Sequence, residues 1–383
     1  MVKQPIYLDH AATTPVHPDA CEAMIQYMTE VFGNPSSVHH FGRETRKALD
    51  EGRTAIARAI GASPDEIVFT GGGTEADNLA VIGYVQKHRK PGGAHVISCA
   101  TEHHGVLHAL EELERDGVDV TYLPVDEKGN VSAAAVQDEL RDDTVLVSIM
   151  TANNETGTIQ PIRAISEVLA DHAAVFHTDA VQAVGKMPVN VESLGVDMLA
   201  SSAHKFNGPN GIGFLYVRRG ITLKPLLHGG SQESRRRAGT ENTAGIVGMK
   251  TALERSLSEL SDREETYRLC RRTLLEALDE SGVDYLQNGD PENGLLQVMN
   301  LSFPGADVEQ LLMNLDLEGI AVSSGSACTA GSVEPSHVLT AMHGDTDRSR
   351  AAIRFSFGLG TTGDDVQKAA TAVDKSLARM KVK

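Results

Sequence analysis

Several features are scarce in this chain of 383 residues, and each scarcity argues against a class of protein. No apolar run approaches the roughly 20 residues of a membrane-spanning helix, and the N-terminal stretch MVKQPIYLDHAATTP lacks the apolar core of a signal peptide. The chain has four cysteines and no CxxC pair, which argues against a zinc ribbon or a small disulfide scaffold. We therefore expect a cytoplasmic protein with reduced thiols and no membrane partner.

Positive charge is also in short supply. Acidic residues number 52 against 35 basic ones, which gives a formal net charge of -17. Such a surface repels phosphate backbones, so we expect no direct nucleic-acid partner. The acidic excess is typical of a surface that keeps a protein soluble. Small anions are still possible ligands, because local donors capture them whatever the global charge.

The region from about residue 66 to 218 alternates short apolar runs with amphipathic helical patterns. This alternation predicts an α/β fold in which a mostly parallel, seven-stranded sheet is flanked by helices. Ligands of such sheets bind beyond the carboxyl ends of the strands. The predicted strands are Glu66–Thr70, His95–Cys99, Val118–Leu123, Thr144–Met150, Ala174–Thr178, Asp197–Ser201 and Gly213–Val217.

The rest of the chain has a different pattern of predicted helices and strands. Residues 240–280 show helical spacing of leucines and predict one long helix. A strand-like run, Leu295–Phe303, precedes a helical pattern at Val308–Leu317 and a segment rich in glycine and serine at 323–331. We therefore predict two domains. The large domain spans residues 15–255, and a smaller α+β domain combines residues 1–14 with 256–383.

Two motifs follow predicted strands in the first half of the sheet. Gly71-Gly72-Gly73-Thr74-Glu75 opens a helix, where successive N–H groups can bind an anion, although a plain tight turn explains it equally well. Thr101-Glu102-His103-His104 follows the strand HVISCA. The two adjacent histidines point in different directions and make a poor metal pair, so we expect no metal site. An imidazole can, however, stack on a planar heterocycle.

Two further motifs place an acid and a base at the same edge of the sheet. Asp179 directly follows the strand AVFHT, where a carboxylate is costly unless it pairs with a cation or caps a helix. The ring nitrogen of pyridoxal 5′-phosphate (PLP) is one such cation. Lys205, in the string SSAHKFNGP, lies just past another apolar strand and is placed to act as a carbonyl-trapping amine.

Together these strings resemble the NifS/IscS-type cysteine desulfurases, which are PLP enzymes of fold type I in the class-V aminotransferase-like superfamily. The match runs over nearly the whole chain in both order and spacing. The strings are YLDHAATTP (7–15), FGNPSSVH (32–39), GGGTEADN (71–78), TEHHGVL (101–107), NNETG (153–157), HTDAVQAVGK (177–186), SAHKFNGPNGIG (202–213), AGTEN (238–242), SSGSACT (323–329) and IRFSFG (353–358).

The resemblance implies a role for each matching residue. Lys205 would bond covalently to PLP, Asp179 would face the pyridine nitrogen, Gln182 would bond the ring hydroxyl and His103 would stack on the ring. The remaining cofactor contacts would come from Gly73, Thr74, Ser202 and His204, with Thr240 reaching in from the partner subunit of a homodimer. Asn154 would contact both cofactor and substrate, and Arg354 would hold the substrate carboxylate.

The resemblance also makes Cys328 the sulfur acceptor, and the residues around it agree. Its neighbours are small residues, which suit a mobile loop. An acceptor thiolate must be able to move, because it attacks the substrate sulfur and then passes sulfur on. Cys21, Cys99 and Cys270 lie within helical or strand patterns, so we expect them to be buried and inert. Catalysis would rest on Cys328, Lys205 and His103.

The implied activity is PLP-dependent removal of sulfur from L-cysteine, which gives L-alanine and a persulfide on Cys328. An acceptor protein, such as an iron–sulfur scaffold or a tRNA-thiolation enzyme, would take the sulfur. Alternatives are a selenocysteine lyase or aminotransferase of the same superfamily, and a non-catalytic sulfur carrier. Two departures from the family stand out: Gly71 replaces the usual phosphate-loop serine, and three arginines run from 235 to 237, of which Arg237 fits the family's arginine.

Overall fold

The computed structural model describes residues 5–325 and 335–381. Within these ranges the main sheet has seven strands, in the order β2-β8-β7-β6-β5-β3-β4. Strand β8 runs antiparallel to both of its neighbours, and the remaining pairs are parallel. The strands are β2 (Ile67–Thr70), β3 (His95–Cys99), β4 (Asp119–Leu123), β5 (Thr144–Ser148), β6 (Val175–Asp179), β7 (Met198–Ser202) and β8 (Gly213–Val217), and β1 (Ile6–Tyr7) lies outside this sheet.

Helices cover this sheet because the strands are apolar on both sides. Most of their residues are buried on either face, as expected for a sheet between two helical layers. Two hydrophobic cores lie on the sheet, one containing Phe176 and Phe214 and the other Val96 and Leu215. The helices of this part are α1 (Pro18–Thr29), α2 (His40–Ala59), α3 (Gly73–His88), α4 (His104–Arg115), α5 (Ala133–Glu139), α6 (Ile162–Val168) and α7 (Val191–Leu194).

The C-terminal part is built on shorter sheets. Strand β10 pairs antiparallel with β9 and β12, and β11 pairs parallel with the N-terminal strand β1. A separate hydrophobic core joins Leu8, from the N-terminus, to side chains such as Leu274, Phe355 and Val373. The elements are α8 (Thr243–Ser258), α9 (Leu260–Glu280), β9 (Leu286–Asn288), β10 (Val298–Ser302), α10 (Val308–Leu317), β11 (Ile320–Ala321), α11 (His337–His343), α12 (Asp347–Arg350), β12 (Ala352–Ser356) and α13 (Gly363–Lys381).

The predicted fold class is confirmed, and each predicted strand of the main sheet lies within two residues of its observed bounds. The single long helix predicted for residues 240–280 is wrong. It divides into α8 and α9 at Glu259, whose backbone N–H bonds to the carbonyls of Arg255 and Leu257 and closes α8. Leucine periodicity continues across the break, so the pattern alone could not reveal it. The domain boundaries stay a prediction.

The cysteines follow the prediction in two of the three described cases. Cys99 and Cys270 are buried, and burial raises the pKa of their thiols to about 12 and about 11. Cys21 is exposed, so the prediction of a buried thiol there is wrong. Its helical face includes Ile25 and Met28, and this apolar face of α1 points outward. Among the described residues, no helix is long and apolar enough to cross a membrane.

Candidate active site

The predicted polar residues converge at one edge of the main sheet. Strands β3, β5, β6 and β7 are parallel neighbours, so their carboxyl ends meet at that edge. His103 follows β3, Asn154 follows β5, Asp179 ends β6 and Ser202 ends β7. Lys205 lies in a short 3₁₀ turn directly after β7. Residues that are far apart in the sequence therefore lie together at this edge of the sheet.

The Lys205 amine faces the N-terminal segment of the chain. Its Nζ donates to the carbonyl oxygens of Ala11 and Ala12, each at 2.7 Å. Gln182 donates from Nε2 to the same Ala11 oxygen at 2.9 Å. The Oε1 of Gln182 accepts from Lys186 Nζ at 2.8 Å, which fixes the orientation of the amide. Lys205 and Gln182 thus point their donors at the same place.

His103 is held in one orientation and one charge state. It caps α4, and its Nδ1 accepts from the backbone N–H of Gly105 at 3.0 Å, so the ring proton lies on Nε2. Burial lowers the pKa of His103 to about 4, and the positive charge of Lys205 acts in the same direction. The imidazole is therefore neutral near pH 7. A neutral planar ring beside the lysine suits stacking on a heterocycle.

Asp179 is buried at the end of β6, and its Oδ1 accepts from the Val181 N–H at 2.8 Å. Burial raises its pKa to about 6, although the Val181 hydrogen bond and the Lys205 charge oppose the shift. Lys205 is a cation that acts on this carboxyl, but its charge does not reverse the effect of burial. A protonated ring nitrogen would add a second positive charge, and an adjacent cation favours the ionised form. Asp179 therefore fits the role of partner to the PLP nitrogen.

Two buried carboxyls near Asp179 were not singled out by sequence reasoning. Asp77 lies on α3, 3.6 Å from Nε2 of His177, and Glu102 accepts from the Met150 N–H at 2.6 Å. Burial raises the pKa of each well above its usual value. A signal for Asp77 existed, since it lies three residues after Thr74 and shares its helical face.

The glycine run builds a cradle at the N-terminus of α3. A Cβ atom at Gly73 would lie 2.7 Å from Val181 Cγ2, and one at Gly72 would lie 3.7 Å from Ser202 Oγ. The first-turn N–H groups of a helix have no acceptor within the helix, so they are available to an anion. Thr74 Oγ1 is close by, at 3.5 Å from the Cβ position of Gly105. Backbone N–H donors and the hydroxyls of Ser202 and Thr74 therefore surround a space that suits a phosphate group.

His204 and Thr240 are the two other residues predicted to contact the phosphate. The Nδ1 of His204 bonds with Thr13 Oγ1 at 3.1 Å, and burial lowers the His204 pKa to about 4. The imidazole is thus neutral near pH 7 and directed at the N-terminal segment. Thr240 is exposed on the chain. An exposed position is compatible with a contact to a second subunit, and both predicted phosphate contacts stay predictions.

Arg354 lies on β12 and is almost fully buried. Its Nη2 donates to Asp9 Oδ1 at 2.7 Å and its Nη1 to the carbonyl oxygen of Asn154 at 3.0 Å. The structure thus brings the two residues predicted to hold the substrate carboxylate into direct contact. Asp9 was not singled out from the sequence. Its string YLDHAATTP carries the resemblance but gives no sign of this ion pair.

The three arginines at 235–237 differ in their contacts. Arg237 forms a two-point ion pair with Glu75 on α3, with Nε to Oε1 at 2.7 Å and Nη2 to Oε2 at 3.2 Å. Arg236 donates to the carbonyl oxygen of Asp65 at 2.9 Å, and Arg235 is exposed. Glu75 also accepts from the Gly71 N–H, so Arg237 braces the glycine cradle.

Cys328, the predicted sulfur acceptor, lies outside the described residues. The chain on either side is described up to Gly325 and from residue 335. Both flanks reach the sheet edge. The backbone of Ser323 pairs with that of Arg354, and Nε2 of His337 lies 2.9 Å from the carbonyl oxygen of Glu102. The described residues on both sides of Cys328 therefore lie beside the cluster.

The residues at this edge fit PLP. They offer an amine, a buried carboxyl whose ionised form a further cation would stabilise, a neutral imidazole and a glycine-rich helix terminus with hydroxyls beside it. Each matches one part of the cofactor: its aldehyde, its ring nitrogen, its ring face and its phosphate. Within the described ranges, no group of His, Cys, Asp and Glu side chains is arranged to hold a metal ion.

Comparison with known proteins agrees with the assignment of these residues to a PLP site. The family model described as aminotransferase class-V matches residues 6–369. A protein of Bacillus subtilis (strain 168) is 54% identical over 98% of this chain and 99% of its own. Cysteine desulfurase IscS of Dictyoglomus turgidum is 47% identical, with 99% and 96% of the two chains covered.

Solved structures show the same likeness in three dimensions. A NifS-like protein superposes with a TM-score of 0.92 at 35% identity, covering 98% of this chain and all of its own. A structure described as SspA in complex with cysteine has a TM-score of 0.82 at 37% identity, covering 92% of this chain and 98% of the other.

Proposed function

Because the chain belongs to the class-V aminotransferase family and, within it, to the PLP-dependent cysteine desulfurases, we propose that it removes sulfur from L-cysteine to give L-alanine and a persulfide on Cys328. The observation that carries the proposal is the convergence of Lys205, Asp179 and His103 at one edge of the sheet, beside the flanks of the Cys328 segment. A solved relative described as a complex with cysteine supports the choice of substrate.

PLP, when bound, supplies the electron sink that allows bonds at the substrate carbons to break. The chain's own residues do the rest. Lys205 would hold the cofactor and would carry protons to and from the substrate through its Nζ. Asp179 would face the ring nitrogen, and neutral His103 would pack on the ring face. Arg354 and Asn154 orient the substrate carboxylate.

Sulfur transfer itself belongs to Cys328. Its thiolate attacks the sulfur of the substrate, a new S–S bond forms and the substrate C–S bond breaks. The electron pair of that bond stays with the substrate carbon, which takes up a proton as alanine. The thiolate must be free to attack, which requires a reducing compartment, and we therefore expect a cytoplasmic location.

We further propose a homodimer and a protein acceptor for the sulfur. Support for the dimer comes from a patch of exposed apolar side chains on α1, on the loop after it and at the start of α2, where the rings of Phe32 and Phe41 stack 5.6 Å apart. Thr240 is exposed and available to a second subunit. The acceptor would be an iron–sulfur scaffold or a tRNA-thiolation enzyme. The exposed members of the patch are Ile25, Met28, Phe32, Val38 and Phe41.

The decisive experiment measures alanine and sulfide released from L-cysteine in the presence of PLP and a thiol reductant. Wild-type protein should give the two products in equal amounts, and Cys328→Ala should give neither while still binding PLP. Cys21→Ala is the matched control, because that thiol is exposed and has no predicted role in the reaction, and it should behave as wild type. A Cys328→Ala protein with undiminished alanine release would refute the assignment.

The dimer has its own test. Phe32→Asp places a charge in the apolar patch, and the mass measured by light scattering should fall from that of two chains to that of one. A wild-type protein that is already monomeric would contradict the proposal. A radiolabelled sulfur atom supplied as L-cysteine should, in turn, appear on an added scaffold protein only when Cys328 is present.

A further inference from the structure

Glu155 is a buried carboxyl for which neither the cofactor nor the substrate gives a use. It lies in the Asn153-Asn154-Glu155 string beyond β5 and is 2% exposed. Its backbone is fixed at both ends of the peptide unit. The N–H donates to Asn153 Oδ1 at 2.8 Å, and the carbonyl oxygen accepts from Asn300 Nδ2 at 3.3 Å. The side chain is therefore held in one place at the edge of the site.

The carboxyl of Glu155 contacts both flanks of the stretch that carries Cys328. On the far side, Ser336 Oγ donates to Glu155 Oε2, and Ser336 Oγ itself accepts from the Leu339 N–H at 3.2 Å as the cap of α11. On the near side, a Cβ atom at Gly325 would lie 2.7 Å from Glu155 Cδ. A side chain at position 325 would therefore collide with the carboxyl as it is now placed.

Charge neutralisation alone does not explain Glu155. Arg354 is nearby and favours the ionised form of Glu155, as does His104, but Arg354 already has an ion pair with Asp9 at 2.7 Å. Burial is the larger influence and raises the pKa of Glu155. A buried carboxyl that is costly to ionise and not needed to balance the arginine is explained better by its contacts with Gly325 and Ser336.

We propose that Glu155 is a positioning residue for sulfur transfer, which fixes the chain at Gly325 and Ser336, the described points on either side of Cys328. The proposal rests on Cys328 as the sulfur acceptor. Since Glu155 directly follows Asn154, the same short string would orient the substrate carboxylate and set the flanks of the thiol segment. Misplacing a reacting group by about 1 Å costs on the order of 100-fold in rate.

The test compares Glu155→Ala, Glu155→Gln and Ser336→Ala as PLP-loaded proteins. Glutamine keeps an oxygen that accepts from Ser336 and fills the same volume, whereas alanine removes both. Two quantities are measured in each: the single-turnover rate of alanine formation, and the rate at which iodoacetamide alkylates Cys328 relative to Cys21 in the same chain. Cys21 is exposed and serves as an internal reference thiol. The absorbance change on adding L-cysteine reports substrate binding separately.

We expect Glu155→Ala to slow single-turnover alanine formation by about 10-fold or more. Because the chain at Gly325 and Ser336 would no longer be fixed by the carboxyl, the alkylation ratio of Cys328 to Cys21 should also rise by about threefold or more. Substrate binding should stay near the wild-type value, Ser336→Ala should follow Glu155→Ala, and Glu155→Gln should restore most of both quantities. If both quantities stay within about twofold of wild type, or if substrate binding falls in parallel, the proposal is wrong.

Gly325→Ala supplies an independent check should Glu155→Ala fold poorly. The added methyl collides with the carboxyl of Glu155, so its effect should shrink when Glu155 is also alanine. Equal effects of Gly325→Ala in the two backgrounds would overturn the contact. A wild-type protein that forms no alanine would refute the proposed function instead, while the alkylation ratio would still test Glu155.

Discussion

The loop after β8 contains a stretch of unfavourable backbone. Glu233, Ser234 and Arg235 have φ angles of 46°, 56° and 66°, in the left-handed region that costs a residue with a side chain about 1–2 kcal/mol each. Such a stretch persists only where its surroundings hold it in place. Here Glu233 does so: its side chain is 2% exposed and meets Arg53 at two points, 2.6 and 2.8 Å, and the Phe69 N–H at 2.9 Å.

We expect Glu233→Gln to release this loop. The change keeps the shape but removes the charge, so Arg53, with 15% of its side chain exposed, is left without an ionised partner. Breaking a fully buried pair in this way costs about 3–5 kcal/mol. Because Arg53 retains some contact with water and Gln retains part of the hydrogen bonding, we expect about 2–4 kcal/mol. At 1.4 kcal/mol per factor of ten, local opening should become about 100-fold more frequent.

The rate of trypsin cleavage measures this local opening directly, because trypsin cleaves after arginine and the loop contains three arginines at 235–237. The cleavage rate at these bonds should rise about 100-fold in Glu233→Gln while opening limits the reaction. Asp345→Asn is the matched control. It breaks the exposed ion pair with Arg350, which is worth little, and should leave cleavage unchanged. A Glu233→Gln rate within about twofold of wild type would refute the reasoning.

Two further expectations follow from the site. Gly73→Ala places a methyl 2.7 Å from Val181 Cγ2, so PLP titration should show an affinity lower by about 10-fold, whereas Gly363→Ala, with 3.9 Å of room, should not change it. Burial lowers the pKa of His177 to about 3 from 6.5, so the unfolded chain takes up a proton that the folded chain refuses. The unfolding free energy should therefore fall as the pH drops from about 6.5 toward 3. Urea unfolding should show a weaker pH dependence in His177→Asn, and an unchanged one would contradict the buried neutral state.

Much of the site was predictable because its residues follow strands. Asp179 and Lys205 each come directly after an apolar run, and parallel strands bring such positions to one edge. A reader of the sequence needs only the strand pattern to infer their proximity. The glycine run before Thr74 gave the anion cradle in the same way, although it left a plain turn as an equal alternative.

Contacts between distant segments were not predictable in this way. Asp9 meets Arg354 only because β12 brings Arg354 to the N-terminal segment, and Glu233 meets Arg53 only because a loop folds back onto β2. No local pattern encodes either pair. Cys21 failed for a related reason: helical spacing showed an apolar face on α1, but nothing local says whether that face packs inward or is left for a second chain.

The buried carboxyls show how surroundings, rather than residue type, assign the chemistry. Asp179 lies close enough to raise the pKa values of both Asp77 and Glu102, and Glu102 raises that of Asp77, although burial is the largest cause for each. Burial raises the pKa of Asp77 and Glu102 well above the usual range, whereas Asp179 stops at about 6 because the Val181 N–H and Lys205 favour its anion. Asp179, whose anion is favoured by both the Val181 N–H and the Lys205 charge, is therefore the carboxyl of the three suited to a cationic ring nitrogen.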